Sequence, residues 1–223
     1  MFIYFYTSPQ CANYLVTMYC PAQRAVALTD RQGQEIWNYD IWRLWTYQFA
    51  HAGLGHLLPN VICQIIFGSF LEVVHGPLRV GTLYTTGVIF GGCFSLILKP
   101  HMSLVGASAG VYALITAVLA NTVLNWSELN LINRIIRLFV AGGYLTADIG
   151  SIVMTGSQSN VSYIAHLGGA LVGALLGLVI LKNWEVKRNE VRCQIVSLLL
   201  FLVLVILVAV LMFVGDLTHH TLF

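Results

Sequence analysis

From Ile195 to Val214 the chain carries a single polar residue, Ser197. A helix needs about 20 mostly apolar residues to cross the hydrocarbon layer of a bilayer, and this run is long enough. Inside that layer every backbone N–H and C=O must be paired within the chain, so only helices or closed barrels can cross it. The feature recurs in Leu54–Val74, Val80–Leu98, Ala107–Leu124, Leu131–Met154 and Tyr163–Leu181, which are further candidate spans. The reading is an all-α, polytopic membrane protein.

Composition points the same way. Of 223 residues, 58% are hydrophobic and 9% charged, against about 25% charged in soluble domains. The net charge of +2 is small and its basic residues are scattered, so nucleic acid is not an expected partner. The cysteines show no metal-ligand spacing. Cys63, Cys93 and Cys193 lie in or beside apolar runs and read as small hydrophobes. Cys11 and Cys20 could pair if their end faces an oxidising lumen. Met1–Tyr6 is apolar but short and lacks the features of a signal peptide; it reads as the end of a spanning helix whose beginning is missing. Gln23 to Arg43 reads as a polar and aromatic loop against the membrane surface.

Charge orients the spans. Arg79, Arg134, Arg137, Lys182, Lys187, Arg188 and Arg192 fall in or beside alternate connections, against Lys99 in a short loop and Arg24, Arg31 and Arg43 in the long early segment on the opposite side; the positive-inside rule places the first group in the cytoplasm. Ser108 then opens a helix on the lumenal side, and His166 lies one turn inside another helix from that side. The two polar residues share a shallow depth below one surface.

Each residue has a bland reading beside a chemical one. Gly106-x-Ser108-x-Gly110 matches the nucleophile elbow of soluble hydrolases, but no strand precedes it. Ser108 sits instead at a helix start, where free N–H groups favour an oxyanion; the bland alternative is an N-cap serine. His166 shares a helical face with Gly169 and Gly173, a small-residue face on which another helix can approach closely. The alternative there is a packing histidine.

His51 and His56 are five apart with no acid between them, so a metal site is not expected and no cofactor is implied. His56 and Asn60 are four apart and both donate hydrogen bonds, as an oxyanion hole requires. Pro59 precedes Asn60 directly, and proline is tolerated in a first helical turn but disruptive deeper. Tyr112 lies one turn below Ser108. Trp42 and Arg43 read as an interfacial aromatic and a headgroup-binding cation. No aspartate is placed as a third catalytic member, since Asp148 lies on another span and Asp40 in the loop. The chemistry expected is a Ser–His dyad.

Together these residues resemble the rhomboid family of intramembrane serine proteases, from about Trp42 to the end. The resemblance is carried by Trp42-Arg43, His51 with His56 and Asn60, Gly106-x-Ser108 with Tyr112, and Ala165-His166 followed by Gly169 and Gly173. Leu71-Glu72-Val73-Val74-His75-Gly76, Ser162 to Leu167 and the span after the histidine helix look like the animal secretory-pathway branch. Ala109 stands where many members have glycine. The implied fold is a rhomboid-like helical bundle with an extra C-terminal span and a truncated first core span. The implied divisions are residues 1–20, the remnant of that span and start of a lumenal loop; 21–53, the loop; 54–181, the catalytic core; 182–194, a cytoplasmic loop; and 195–223, the additional span and tail.

The resemblance implies Ser108 as nucleophile, His166 as general base, and His56, Asn60 and the Ser108 N–H as oxyanion hole. Leu131–Met154 is implied to be the mobile helix past which substrate enters from the bilayer. Implied partners are membrane lipid and single-pass transmembrane substrates cut near their lumenal end, such as growth-factor precursors. The implied location is a secretory-pathway or plasma membrane. The rival is a rhomboid-like protein that binds transmembrane clients without cutting them, although such proteins typically lose the serine or histidine. A transporter or channel predicts charged residues lining a path across the bilayer, and no such chain is present. Oligomeric state has no signature in the sequence.

Overall fold

The computed structural model describes residues 42–51, 53–98, 104–155, 163–183 and 188–221, the side chains of 149, 151–155 and 215–221 excepted. Among these residues there is no strand. The readings made above for Met1–Tyr6, Cys11, Cys20 and Gln23 to Ile41 lie outside them.

A short helix α1 (Arg43–Thr46) runs into a tight turn at Tyr47–Phe49. Six longer helices follow: α2 (Leu54–His75), α3 (Pro77–Leu98), α4 (Ser108–Leu124), α5 (Leu131–Thr155), α6 (Tyr163–Ile180) and α7 (Arg188–Thr221). The breaks fall where the backbone requires them. Gly53 before α2 and Gly76 after it have φ of 97° and 87°, a region in which side chains with a Cβ are strained. Pro77 then opens α3, where a missing N–H would have had no helical partner. Pro59 lies inside α2, which continues through it and passes into a wider π-type turn at Gln64–Gly68.

Helices α3, α4 and α6 form the centre, and α4 is its axis. Ala109, Val111, Ala113, Ile115 and Ala117 of α4 are completely buried. A helix apolar all round belongs in the middle of a bundle. Small residues let its neighbours approach. On α6, a Cβ at Gly169 would overlap the Ala109 carbonyl, and one at Gly173 would overlap Thr116 Oγ1 and the Ala113 carbonyl. On α3, a Cβ at Gly87 would meet Ala113 Cβ at 2.5 Å. Close backbone approach of this kind is how membrane helices associate without a hydrophobic drive.

Among the described residues, four helices are long and apolar enough to cross a membrane: α2, α3, α6 and α7 from Arg188 to Val214. Two others depart from the expected spans. Helix α5 is 25 residues long but more polar, since it carries Arg134, Arg137 and Asp148. Its arginines are held at its N-terminal end, Arg134 over Trp126 with its Nε donating to the Leu129 carbonyl at 2.8 Å, and Arg137 over Phe70. Helix α4 is short. Its 17 residues extend about 26 Å at about 1.5 Å each, less than the hydrocarbon thickness of about 30 Å. A helix that cannot reach both surfaces leaves one end inside, and Ser108 is at an end.

Helix α7 begins at Arg188 rather than at Ile195, so residues 188–194, expected in a loop, form its first turns. Hydropathy marks where a helix enters hydrocarbon, whereas backbone pairing starts earlier. It packs on α6 and α3, with Phe201 against Phe90 at 5.7 Å between ring centres and Gln194 Nε2 donating to the Leu178 carbonyl at 3.2 Å. Only 11% of its apolar window is buried, so most of its surface is left for lipid.

Candidate active site

The segment before α4 is pinned from one side. Gly106 has φ of 106°, and a Cβ there would sit 2.5 Å from His56 Cε1, so both backbone and space require glycine. Its N–H donates to the Tyr47 carbonyl at 3.3 Å, and the next N–H, of Ala107, donates to His51 Nε2 at 3.4 Å. Tyr47 is itself anchored by its hydroxyl, which donates to the Val88 carbonyl at 2.7 Å. Burial pushes the His51 imidazole down to about 4, helped by neighbouring His56 and partly offset by the Phe49 carbonyl. His51 is therefore neutral near pH 7, with a lone pair for the Ala107 amide. It stands edge-on to His56, ring centres 5.2 Å apart.

Ser108 is the first helical residue of α4, and Ala107 is the N-cap, with no side-chain cap. The serine is thus not spent on capping. Its Oγ lies 2.7 Å from His166 Nε2. The backbone N–H groups of a first helical turn have no partners inside the helix, so Ser108 brings a hydroxyl and unpaired amides to one place. His166 is buried at 7% exposure. Its ring stacks on Tyr112, centres 4.3 Å apart and planes 17° from parallel, and meets Tyr163 edge-on at 6.1 Å. Gly169 and Gly173 set the approach of α6 to α4 that makes the pair possible.

His56 lies against Gly106, two residues before the serine. Asn60 is buried, and its Nδ2 donates to the His56 carbonyl at 2.7 Å, so one of its two amide protons is engaged within its own helix. Trp42 is 52% exposed, and the Arg43 guanidinium covers it at 5.3 Å, a pairing at the rim of the bundle rather than at the serine.

One expectation is corrected. The sequence gives Asp148 no place as a third catalytic member, because it lies on another span. It does lie on α5, but its Oδ2 is 3.6 Å from His166 Nδ1 and accepts the Tyr112 hydroxyl. Helix α5 packs on α4, and 36 residues separate Asp148 from Tyr112, a relation that no local periodicity contains. The available signal was the carboxylate itself, since an acid in an apolar span needs a partner. Among the described residues no three His, Cys, Asp or Glu side chains gather as a metal site would need.

An all-helical membrane bundle with a serine–histidine pair at one end of its central helices defines the class of protein. The chain belongs to the Rhomboid family: the Rhomboid domain matches residues 38–183. It is 42% identical to Rhomboid-related protein 1 of Caenorhabditis elegans over 166 residues, covering 73% of this chain and 46% of that protein. It is 38% identical to human Rhomboid-related protein 3 over 157 residues, covering 67% and 39%. It is also 32% identical to Inactive rhomboid-related protein 2 of Caenorhabditis elegans over 166 residues, covering 72% and 47%. The chain thus spans less than half the length of each of these relatives.

Proposed function

We propose that this chain is an intramembrane serine endopeptidase that cleaves single-pass transmembrane proteins near the lumenal face of a secretory-pathway or plasma membrane. The observation that carries this is the 2.7 Å contact between Ser108 Oγ and His166 Nε2. Without that pairing a serine and a histidine in an apolar bundle are only costly polar groups.

The Ser108 oxygen attacks the substrate carbonyl carbon as its proton passes to His166 Nε2. Negative charge developing on the carbonyl oxygen faces the unpaired amides at the start of α4 and the positive end of its dipole. His56, held against Gly106, and the free amide proton of Asn60 are the side-chain donors. The Nε2 proton is then given to the leaving amine, and water, activated by the same imidazole, releases the acyl group from Ser108. The stacked Tyr112 ring keeps the imidazole in plane through both halves. Orientation rests on the charge pattern, and growth-factor precursors are the substrate class implied by the family resemblance.

The test is cleavage of a growth-factor precursor co-expressed in cells with the wild type, Ser108→Ala or His166→Ala. The expected result is product from the wild type alone. Equal product from all three overturns the assignment, and none from a folded wild type favours the client-binding rival.

A further inference from the structure

His166 has two ring nitrogens, and only Nε2 faces the serine. To accept the Ser108 proton, Nε2 must be bare, so the neutral ring carries its own proton on Nδ1. That nitrogen is buried and has no hydrogen-bond partner among the described residues. A buried N–H aimed at nothing is costly. The group that faces it is a carboxylate, Asp148 Oδ2 at 3.6 Å. The same oxygen accepts the Tyr112 hydroxyl, and the Tyr112 ring lies flat against His166. One tyrosine therefore supports the imidazole with its face and orients the acid with its hydroxyl.

We propose that Asp148 is the positioning acid of His166, a third member behind the Ser108–His166 pair. The inference rests on the protease reading for its activity consequences, but not for its structural ones. In the attack step the Ser108 O–H bond breaks and the proton goes to Nε2. The Nδ1 proton stays on the ring, and the carboxylate stays ionised beside the imidazolium that has formed. Asp148 acts before the step by holding the Nδ1–H tautomer, and during it by stabilising the positive charge. Its supply is conditional, because the acid arrives on α5 while the serine and histidine sit on α4 and α6.

The groups that bear on the ring are few. Ser108 and Tyr112 face it from α4, Asp148 from α5 and Tyr163 from its own helix. His56 on α2 is within electrostatic reach. Tyr144 of α5 is in turn within reach of Asp148 and Tyr112. Among the described residues Asp148 is the only acid in this set.

The experiment pairs two readouts on the full chain in micelles. The first is kcat and KM for the wild type, Asp148→Asn and Asp148→Glu. Asp148→Asn is expected to lower kcat about 10²-fold or more with KM little changed. Asp148→Glu is expected to recover part of that loss. The second is ¹⁵N NMR of the histidine rings, with the His166 signal assigned by its loss in His166→Gln. The wild-type ring is expected as the Nδ1–H tautomer, and Asp148→Asn is expected to lose that preference. A wild type that cuts nothing overturns the protease reading, and the ring spectrum still decides the role of Asp148. An Asp148→Asn chain whose tautomer matches the wild type overturns the proposal, as does an unchanged kcat.

Discussion

His51 is buried to 2% exposure, takes no part in the proposed chemistry and still governs the site. Its neutral ring accepts the Ala107 amide, and that bond fixes the residue next to Ser108. The pH dependence follows from the direction of its shift. The folded imidazole titrates at about 4 and the unfolded one at about 6.5. Between those values the unfolded chain binds more protons, so stability is fully present above pH 6.5 and falls as pH drops towards 4. The loss is on the order of 3 kcal/mol. Thermal unfolding in micelles is expected to show a melting temperature that declines over this window in the wild type. In His51→Gln, which has no proton to take up there, the decline is expected to flatten. An unchanged slope in the variant would remove His51 as its source.

At the scale of helices, the distance between α4 and α6 is set by absent side chains. A Cβ at Gly169 overlaps the Ala109 backbone, whereas one at Gly143 on α5 meets nothing within 4 Å. Gly169→Ala is expected to destabilise by about 1–3 kcal/mol through overpacking and to separate Ser108 from His166. Gly143→Ala is expected to be neutral or stabilising by up to about 1 kcal/mol. Denaturation of both variants in micelles checks the pair, and similar effects would mean that the α4–α6 contact is not the constraint. The glycine face on α6 and the apolar runs were legible in the sequence because both are periodic and local. Helix ends were less so, as the start of α7 at Arg188 illustrates, because capping and backbone pairing extend beyond the apolar stretch. Asp148 was not legible as a partner of His166. Its position depends on how α5 packs on α4, and that is decided by surfaces brought together only in the fold.

Among the described residues, Arg137 and Lys182 gather at the Asn121 end of α4, away from Ser108. Cys193, exposed and flanked by Arg188 and Arg192, lies towards the charged end of α7. In a Cys11→Ser, Cys20→Ser background, a membrane-impermeant maleimide is expected to label Cys193 from the cytoplasmic side of sealed vesicles. Labelling only from the lumenal side would invert the proposed orientation. In the proposed chemistry His166 makes Ser108 a nucleophile at the start of α4. The direct measurement is labelling of the full chain in proteoliposomes by a fluorescent fluorophosphonate, which modifies only an activated serine. The wild type is expected to be labelled, with Ser108→Ala and His166→Ala both reduced to background. Labelling that persists in Ser108→Ala, or that is as strong in His166→Ala as in the wild type, would contradict the account.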